Sequence, residues 1–530
     1  MASTATGRRP GYWAPPEFWA TARADQPAFV DGDITLTYRD WNTAADQLAG
    51  ALASFGVPPA ACVRTHQRVE WFIIRLALDK LGWDHVAINW QFGPAETRDV
   101  VIVSGAKVIF ADDADPAPLA AALGDDDVRV ICAGPAPAPG VIALSELLTD
   151  PAPVPRFSGT TAPFVRYSSG STGIPKGVRR PPPASEADRL RRRVAAGFAP
   201  EKNLANLGTG VPADLPVRRT LLTTNFYTGI GLKAARQCYS RGGTCYLLDR
   251  FDPVRALEII DREGITHWST VPTSLHRIRM LPGDVLAAHR VDTMRALGVG
   301  GAPVPMSLKQ WVLSYFGPCL YESYGAAEVG LVTLMPPELH LARPGSCGRP
   351  RPQVEIRVVD RAGQPVAANV EGELEIRTPL TIRNYFREPD LDDGTVTGDG
   401  FFRIGDCGRL DSDGFLYITG RAKEMIIRGA YNVFPAEIEN VLAAHPGIQE
   451  AAVIGVPDEE YGEQIMAYCQ TPDGQRVDLG ELREFVAARL ASFKRPRVFE
   501  FVAELPRTDT GKVAKAALRE PFWAGRAFRL

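Results

Sequence analysis

The sequence predicts an α/β fold divided among several units, on three observations. Helical and buried-strand patterns alternate through residues 40–110 and again through 240–305. Between 345 and 420 the wording changes to short strands and Asp-Gly turns. After "GRAKEMI" at 420–426 a compact tail of strands and capped helices begins. A chain of 530 residues exceeds a single ordinary core and suits about three or four folding units.

Taken in order, "DWNTAADQLAGALASFG" carries apolar residues at helical spacing, and "GWDHVAIN" and "AKVIFADD" are short buried strands. The proline-rich stretch 133–139 reads as a loop. Arg189 and Arg191 to Arg193 form a basic helix whose ordinary reading is a solvated face. The second α/β layer contains the strand "GTCYLL", the helix "DPVRALEIIDREG" and the strands "THWSTV" and "RALGVGG". "VEIRVVD", "GELEIRT", "GFFRIGD" and "GRLDSDGFLYITG" predict a small β subdomain. In the tail, Pro435 opens a helix with Ile438, Val441 and Leu442 on one face, and Asp478 stands as N-cap three residues before Glu481.

Composition narrows the function. Hydrophobic residues make up 45% and charged residues 23%, ordinary values for a soluble globular chain. A formal charge of -3, from 59 basic and 62 acidic residues, gives no global field for nucleic acid. The eight cysteines contain no CxxC pair, so reduced, cytoplasmic thiols are expected rather than a zinc cluster or a disulfide framework. The N-terminus lacks the apolar run of a secretory signal. Prolines at 135, 137 and 139 exclude a spanning helix in the uncharged stretch 130–145, and no membrane insertion is expected.

The most informative stretch is "YSSGSTGIPKGV" at 167–178. Glycines allow the backbone to turn its N–H groups inward as an anion-binding nest. Ser168, Ser169, Ser171 and Thr172 add hydroxyl donors around Gly170 and Gly173, and Lys176 adds a full positive charge. The stretch suits a polyphosphate, yet it is not a Walker loop, because Gly177 follows the lysine.

This stretch resembles the phosphate loop of the adenylate-forming superfamily of acyl-CoA and aryl-CoA synthetases, luciferases and peptide-synthetase adenylation domains. Further segments resemble that superfamily in its order: "GVGGAPVP" at 298–305, "YESYGAAE" at 321–328, "FFRIGDCGRL" at 401–410, "GRAKEMIIRGAYNVFPAEIE" at 420–439 and "LPRTDTGK" at 505–512. The resemblance implies an N-terminal domain, residues 1–422, of two doubly wound α/β subdomains plus a small β-barrel-like subdomain. It also implies a small mobile α/β C-terminal domain, residues 423–530.

It implies the chemistry as well: ATP and an organic acid form an acyl adenylate and pyrophosphate, and a thiol then displaces AMP. Thr172, the neighbouring serines and Lys176 would hold the β and γ phosphates, and Glu328 would hold Mg²⁺. Tyr324, next to Gly325, would stack on adenine beside the backbone of Gly301 and Ala302. Asp406 would accept from both ribose hydroxyls, with Arg421 beside it. Lys512 would bridge the acid and the α-phosphate. Lys423 would be the hinge, and Gly429 would reach the acceptor tunnel. Gly300 and Ala326 would border the acid pocket, and Phe226 and Tyr227 either wall it or belong to a buried core.

Three segments depart from the family pattern. Ala327 stands where threonine is usual, Ala430 replaces a second glycine, and Phe226 and Tyr227 occupy a segment that often carries histidine. Thr223, Thr224 and Asn225 make that segment polar, which favours a short or aromatic acid over a long fatty acid. The expected acceptor is coenzyme A. Alternatives are the pantetheine arm of a carrier protein, nitrite activation toward an aromatic amine, and a non-catalytic nucleotide sensor.

Overall fold

The structure is a computed structural model. It describes residues 14–56, 60–124, 126–134, 138–148, 163–168, 176–180, 188, 191–192, 195, 217–302, 304–391, 394–421, 424–428, 431–433, 435–458, 462–472, 477–490, 492–508 and 512–524.

Two large mixed sheets form the N-terminal part. The first runs in the order Val141–Ala143, Arg129–Cys132, Val108–Ala111, Ala60–Arg64, Asp84–Ala87, Phe164–Ser168, Lys176–Arg179. Its neighbours are parallel except the last pair, which is antiparallel. Every residue of Ala60–Arg64 and Val108–Ala111 is buried, as expected for parallel strands covered on both faces.

The second sheet has nine strands, with Arg219–Leu222, Thr244–Leu247, His267–Thr270, Ala296–Gly300 and Leu320–Ala326 at its parallel centre. The helix Pro253–Glu263 crosses between two of these strands. The Asp252 side chain accepts from the Arg255 amide at 2.8 Å to cap its start, and Gly264 ends it at φ +59°. Phe29, Trp41, Phe72, Phe226 and Tyr239 belong to one core that joins elements of both sheets. Phe29 and Phe72 stack at 3.9 Å.

The expected β subdomain is an open antiparallel sheet of Glu355–Val359, Gly372–Arg377, Phe402–Leu410 and Leu416–Arg421, each paired with the next. The barrel-like expectation is corrected, because the first and last of these strands do not pair. Asp411 and Gly414 close a tight turn, with Gly414 at φ +78°.

The C-terminal sheet is built on the hairpin of Glu450–Asp458 and Gly462–Gln470, and Val498–Val502 adds in parallel to the second strand. Pro435 begins the helix Pro435–Ala443, with Ile438 and Leu442 buried, and Asp478 caps Leu479–Ala487 by accepting from the Glu481 amide at 2.8 Å. The helix Pro435–Ala443 touches strand Leu416–Arg421, which joins this unit to the open sheet. All eight cysteines are buried and none forms a disulfide. Among the described residues, no helix is long and apolar enough to cross a membrane.

Candidate active site

The phosphate-loop stretch lies between two antiparallel strands whose register sets Ser168 opposite Lys176. Ser169, Gly170, Ser171, Thr172 and Gly173 lie outside the described residues, as do Lys423, Gly429, Ala430 and the basic-helix residues Arg189 and Arg193. Strand alternation puts Arg166, Lys176, Val178 and Arg180 on one side of this hairpin. Val178 enters a cluster with Val329 and Val332, whereas Val165 on the other side enters the core of the first sheet.

On the first side, the Lys176 ammonium sits 4.8 Å from the centre of the Tyr385 ring, and the Tyr385 hydroxyl donates to Glu328 Oε1 at 3.4 Å. Arg166 and Arg180 both donate to the Ala327 carbonyl, at 3.3 and 2.9 Å, and Arg180 also donates to the Leu380 carbonyl at 3.2 Å. Burial, then the Arg166 charge, push the Arg180 guanidinium down to about 9, with Glu328 opposing. Burial also lowers Arg166, again opposed by Glu328. Glu328 therefore sits among cations borne by the two strands that flank the loop. Among the described residues no group of three or more His, Cys, Asp or Glu side chains could hold a metal. One carboxylate beside the Lys176 strand still fits Mg²⁺, which keeps several waters and would take its other oxygens from phosphates.

Arg166, Arg180 and Tyr385 were missed by the sequence reading. Their signal is faint: two arginines on the same-facing positions of strands that flank the loop.

A second group forms where the nine-stranded sheet meets the open β sheet. Asp406 and Arg421 face each other directly in register. The Tyr324 hydroxyl donates to Asp406 Oδ2 at 2.6 Å, and Arg421 Nε lies 3.2 Å from Oδ1. Burial raises the Asp406 carboxyl, while the Tyr324 hydrogen bond and the Arg421 charge work against that rise. Burial, then the Asp406 charge, push the Tyr324 hydroxyl well above its ordinary range. Each carboxylate oxygen has a second lone pair, so the carboxylate retains room for ribose hydroxyls while already held by the protein.

Lys512 comes to this group from the C-terminal unit. A short hairpin holds it: Arg507 bridges Val513, and the Thr508 amide donates to the Lys512 carbonyl at 2.7 Å. Protein around its ammonium, then the Arg421 charge, lower Lys512, while Asp406 and Glu424 raise it. The lysine therefore feels the field of the Asp406–Arg421 pair, some hundred residues away in sequence.

Between the two groups, strand Ala296–Gly300 ends in an exposed Gly301 at φ +82°, followed by exposed Ala302. Any side chain at Gly300 would begin 2.7 Å from the Ser323 carbonyl, so the two strands require glycine there. Gly325 is exposed and Ala326 half-buried. Phe226, expected at the pocket wall, has a core place instead: it is 2% exposed and meets Trp71 at 5.0 Å and Phe72 at 4.7 Å. Tyr227 is half-buried and accepts from Asn225 Nδ2 at 2.9 Å.

The family model described as AMP-binding enzyme matches residues 17–386, and its companion, AMP-binding enzyme C-terminal domain, matches 437–512. The chain belongs to this family, the adenylate-forming superfamily, and is an AMP-forming ligase. It is 31% identical to a fatty acid–[acyl-carrier-protein] ligase of Streptomyces coeruleorubidus, over 96% of both chains. Among solved structures, it resembles an amide bond synthetase from Marinactinospora thermotolerans with TM-score 0.80 and 27% identity, covering 96% of this chain and all of that one. It resembles the o-succinylbenzoate CoA synthetase of Bacillus subtilis, bound to its acyl-adenylate intermediate, with TM-score 0.78 and 25% identity, covering 99% of this chain and 100% of that one.

Proposed function

We propose that the protein binds ATP with Mg²⁺, adenylates an aryl or short acyl acid with release of pyrophosphate, and passes the acyl group to coenzyme A. The observation that carries this reading is the position of Lys512, delivered by the C-terminal unit into the field of Asp406 and Arg421.

An anionic acid must approach a polyanion, so the reaction needs neutralised charge more than proton transfer. Lys176, Thr172 and the serines Ser168, Ser169 and Ser171 hold the β and γ phosphates, with Gly170 and Gly173 shaping the loop. Glu328 holds Mg²⁺, which neutralises phosphate charge when bound. Asp406, kept in place by Tyr324 and Arg421, orients the ribose, and the backbone of Gly301 and Ala302 lies along the adenine. Lys512 draws the acid's oxygen and the α-phosphate together. Lys423 is the hinge on which residues 423–530 swing away for the second step, bringing Gly429 toward the acceptor. Gly300, Ala326 and Tyr227 border the acid. Arg166 reaches the same place from the loop strand, and its charge stands near the threonine position that Ala327 leaves without a hydroxyl.

A second reading changes only the acceptor. The likeness to a carrier-protein ligase and to an amide bond synthetase favours a pantetheine arm or an amine in place of coenzyme A. Pyrophosphate release is to be measured across aryl, fatty and amino acids and nitrite, each with coenzyme A, loaded carrier protein or an aromatic amine. Turnover of an acid that forms a thioester only with coenzyme A supports the first reading. Product with carrier or amine alone supports the second, and no turnover with any acid defeats both.

A further inference from the structure

The helix Gly229–Tyr239 divides its residues between two surroundings. Ala234, Ala235, Cys238 and Tyr239 enter the large core. Gly229, Ile230 and Lys233, spaced three and four apart, share the other side. The Arg166 guanidinium lies against Gly229, and Ile230 Cδ1 is 3.3 Å from where a side chain at Gly301 would begin. This side of the helix therefore looks onto the cleft between the nucleotide edge and the segment that borders the acid.

Lys233 stands there, half-buried, about 6 Å of axial rise beyond Gly229. It has no hydrogen bond or ion pair with another described residue. Among the described residues, the charges that act on it belong to Arg351 and Arg218, and none of them is a carboxylate. Burial first, then these two arginines, push the ammonium down to about 7. An uncompensated cation set among cations costs stability unless an anion visits it. By contrast, the buried Lys309 has Glu322 at 2.5 Å, and Lys515 lies between Glu424 and Glu439 at 3.0 and 2.8 Å.

We infer that the acid substrate carries a second anionic group, a carboxylate or sulfonate, at the end away from its reacting carboxyl, and that Lys233 receives it. The inference rests on the adenylation reading, with Arg166 and Lys512 at the reacting end. The one-turn offset from Gly229 to Lys233 sets a short spacer between the two anions.

The test compares matched acids: hexanoate against adipate, and hydrocinnamate against its para-carboxy analogue. Pyrophosphate release with wild-type protein should favour the dianion of at least one pair by about tenfold or more in kcat/KM, the scale of one charge-assisted hydrogen bond. Lys233→Met should collapse that ratio, and Lys233→Arg should largely restore it. Calorimetric binding without ATP gives an independent reading. An anion raises the pKa of Lys233, so dianion binding near pH 7 should take up protons, and the heat should change with the ionisation enthalpy of the buffer. That proton uptake should vanish in Lys233→Met.

Tight dianion binding with proton uptake but no pyrophosphate from any acid would uphold the inference and sink the adenylation reading. Equal use of monoanions and dianions, with equal binding and no proton uptake, would overturn the inference and leave adenylation standing. A Lys233→Met variant that loses only its response to coenzyme A would also overturn it, because the lysine would then serve the acceptor's phosphates.

Discussion

The two ends of the cleft handle charge in opposite ways. At the end proposed for ribose, Asp406 is held by Tyr324 and Arg421, and Lys512 and Glu424 extend the same alternation of sign. At the hairpin, Lys176 lies over the ring of Tyr385, whose hydroxyl donates to Glu328, Arg166 and Arg180 both feel the Glu328 charge, and burial weakens the protonation of both arginines. Under the proposed function the difference follows the ligand. Ribose is neutral, so the protein balances its own charges there and holds geometry. A triphosphate is a polyanion, so the protein keeps cations in excess and leaves the balance to substrate and metal. One end is assembled in advance, and the other is completed by what binds.

The largest expected effect lies where the C-terminal unit meets the assembled end. Lys512→Ala should slow pyrophosphate release by about 10²–10³-fold, the scale of removing one preorganised charge donor. ATP binding, followed by displacement of a fluorescent nucleotide, should change little. Undiminished adenylation would remove Lys512 from the chemistry.

Arg180→Met probes the unbalanced end. It should weaken MgATP binding by about tenfold while changing the Tm of the ligand-free protein little, since removing a desolvated cation beside Arg166 offsets the loss of its hydrogen bonds to the Ala327 and Leu380 carbonyls. A fall in ligand-free Tm with MgATP affinity intact would make Arg180 a structural residue and break the contrast.

Tyr324→Phe should do the reverse at the ribose end. Removing the 2.6 Å hydrogen bond to buried Asp406 should cost the ligand-free fold about 1 kcal/mol, measured by denaturant unfolding. A variant as stable as wild type would show that this end is not assembled in advance.

The smallest effect is a displacement in pH. Lys512 must be protonated to neutralise charge, and its pKa is lowered by the protein around it and then by Arg421. The alkaline limb of the pyrophosphate-release profile should therefore fall below the ordinary lysine range. In Arg421→Gln a like charge is gone, protonation becomes easier, and the limb should move up. A downward shift would contradict the assigned contact.

The sequence made the assembled end more legible than the unbalanced one. Asp406 and Arg421 each stand in a recognisable segment, and a single antiparallel register brings them together. Asp478 and Pro435 were readable because helix capping is local. Arg166 and Arg180 act through the Ala327 carbonyl, 161 and 147 residues away, a contact that no local pattern announces. Tyr385 reaches Glu328 across 57 residues for the same reason. Phe226 stays open between pocket wall and core in the sequence because an aromatic ring has the same letter in both, and only its packing against Trp71 and Phe72 separates the two.

The pairing of Ser168 with Lys176 limits how this hairpin can change length. One residue added to or deleted from the start of the returning strand would exchange its two surfaces, turning Lys176 and Arg180 toward the oily interior of the first sheet and Val178's neighbours toward the side of Glu328. Two residues added together would restore the original facing. Viable length variants of this strand should therefore differ by even numbers of residues.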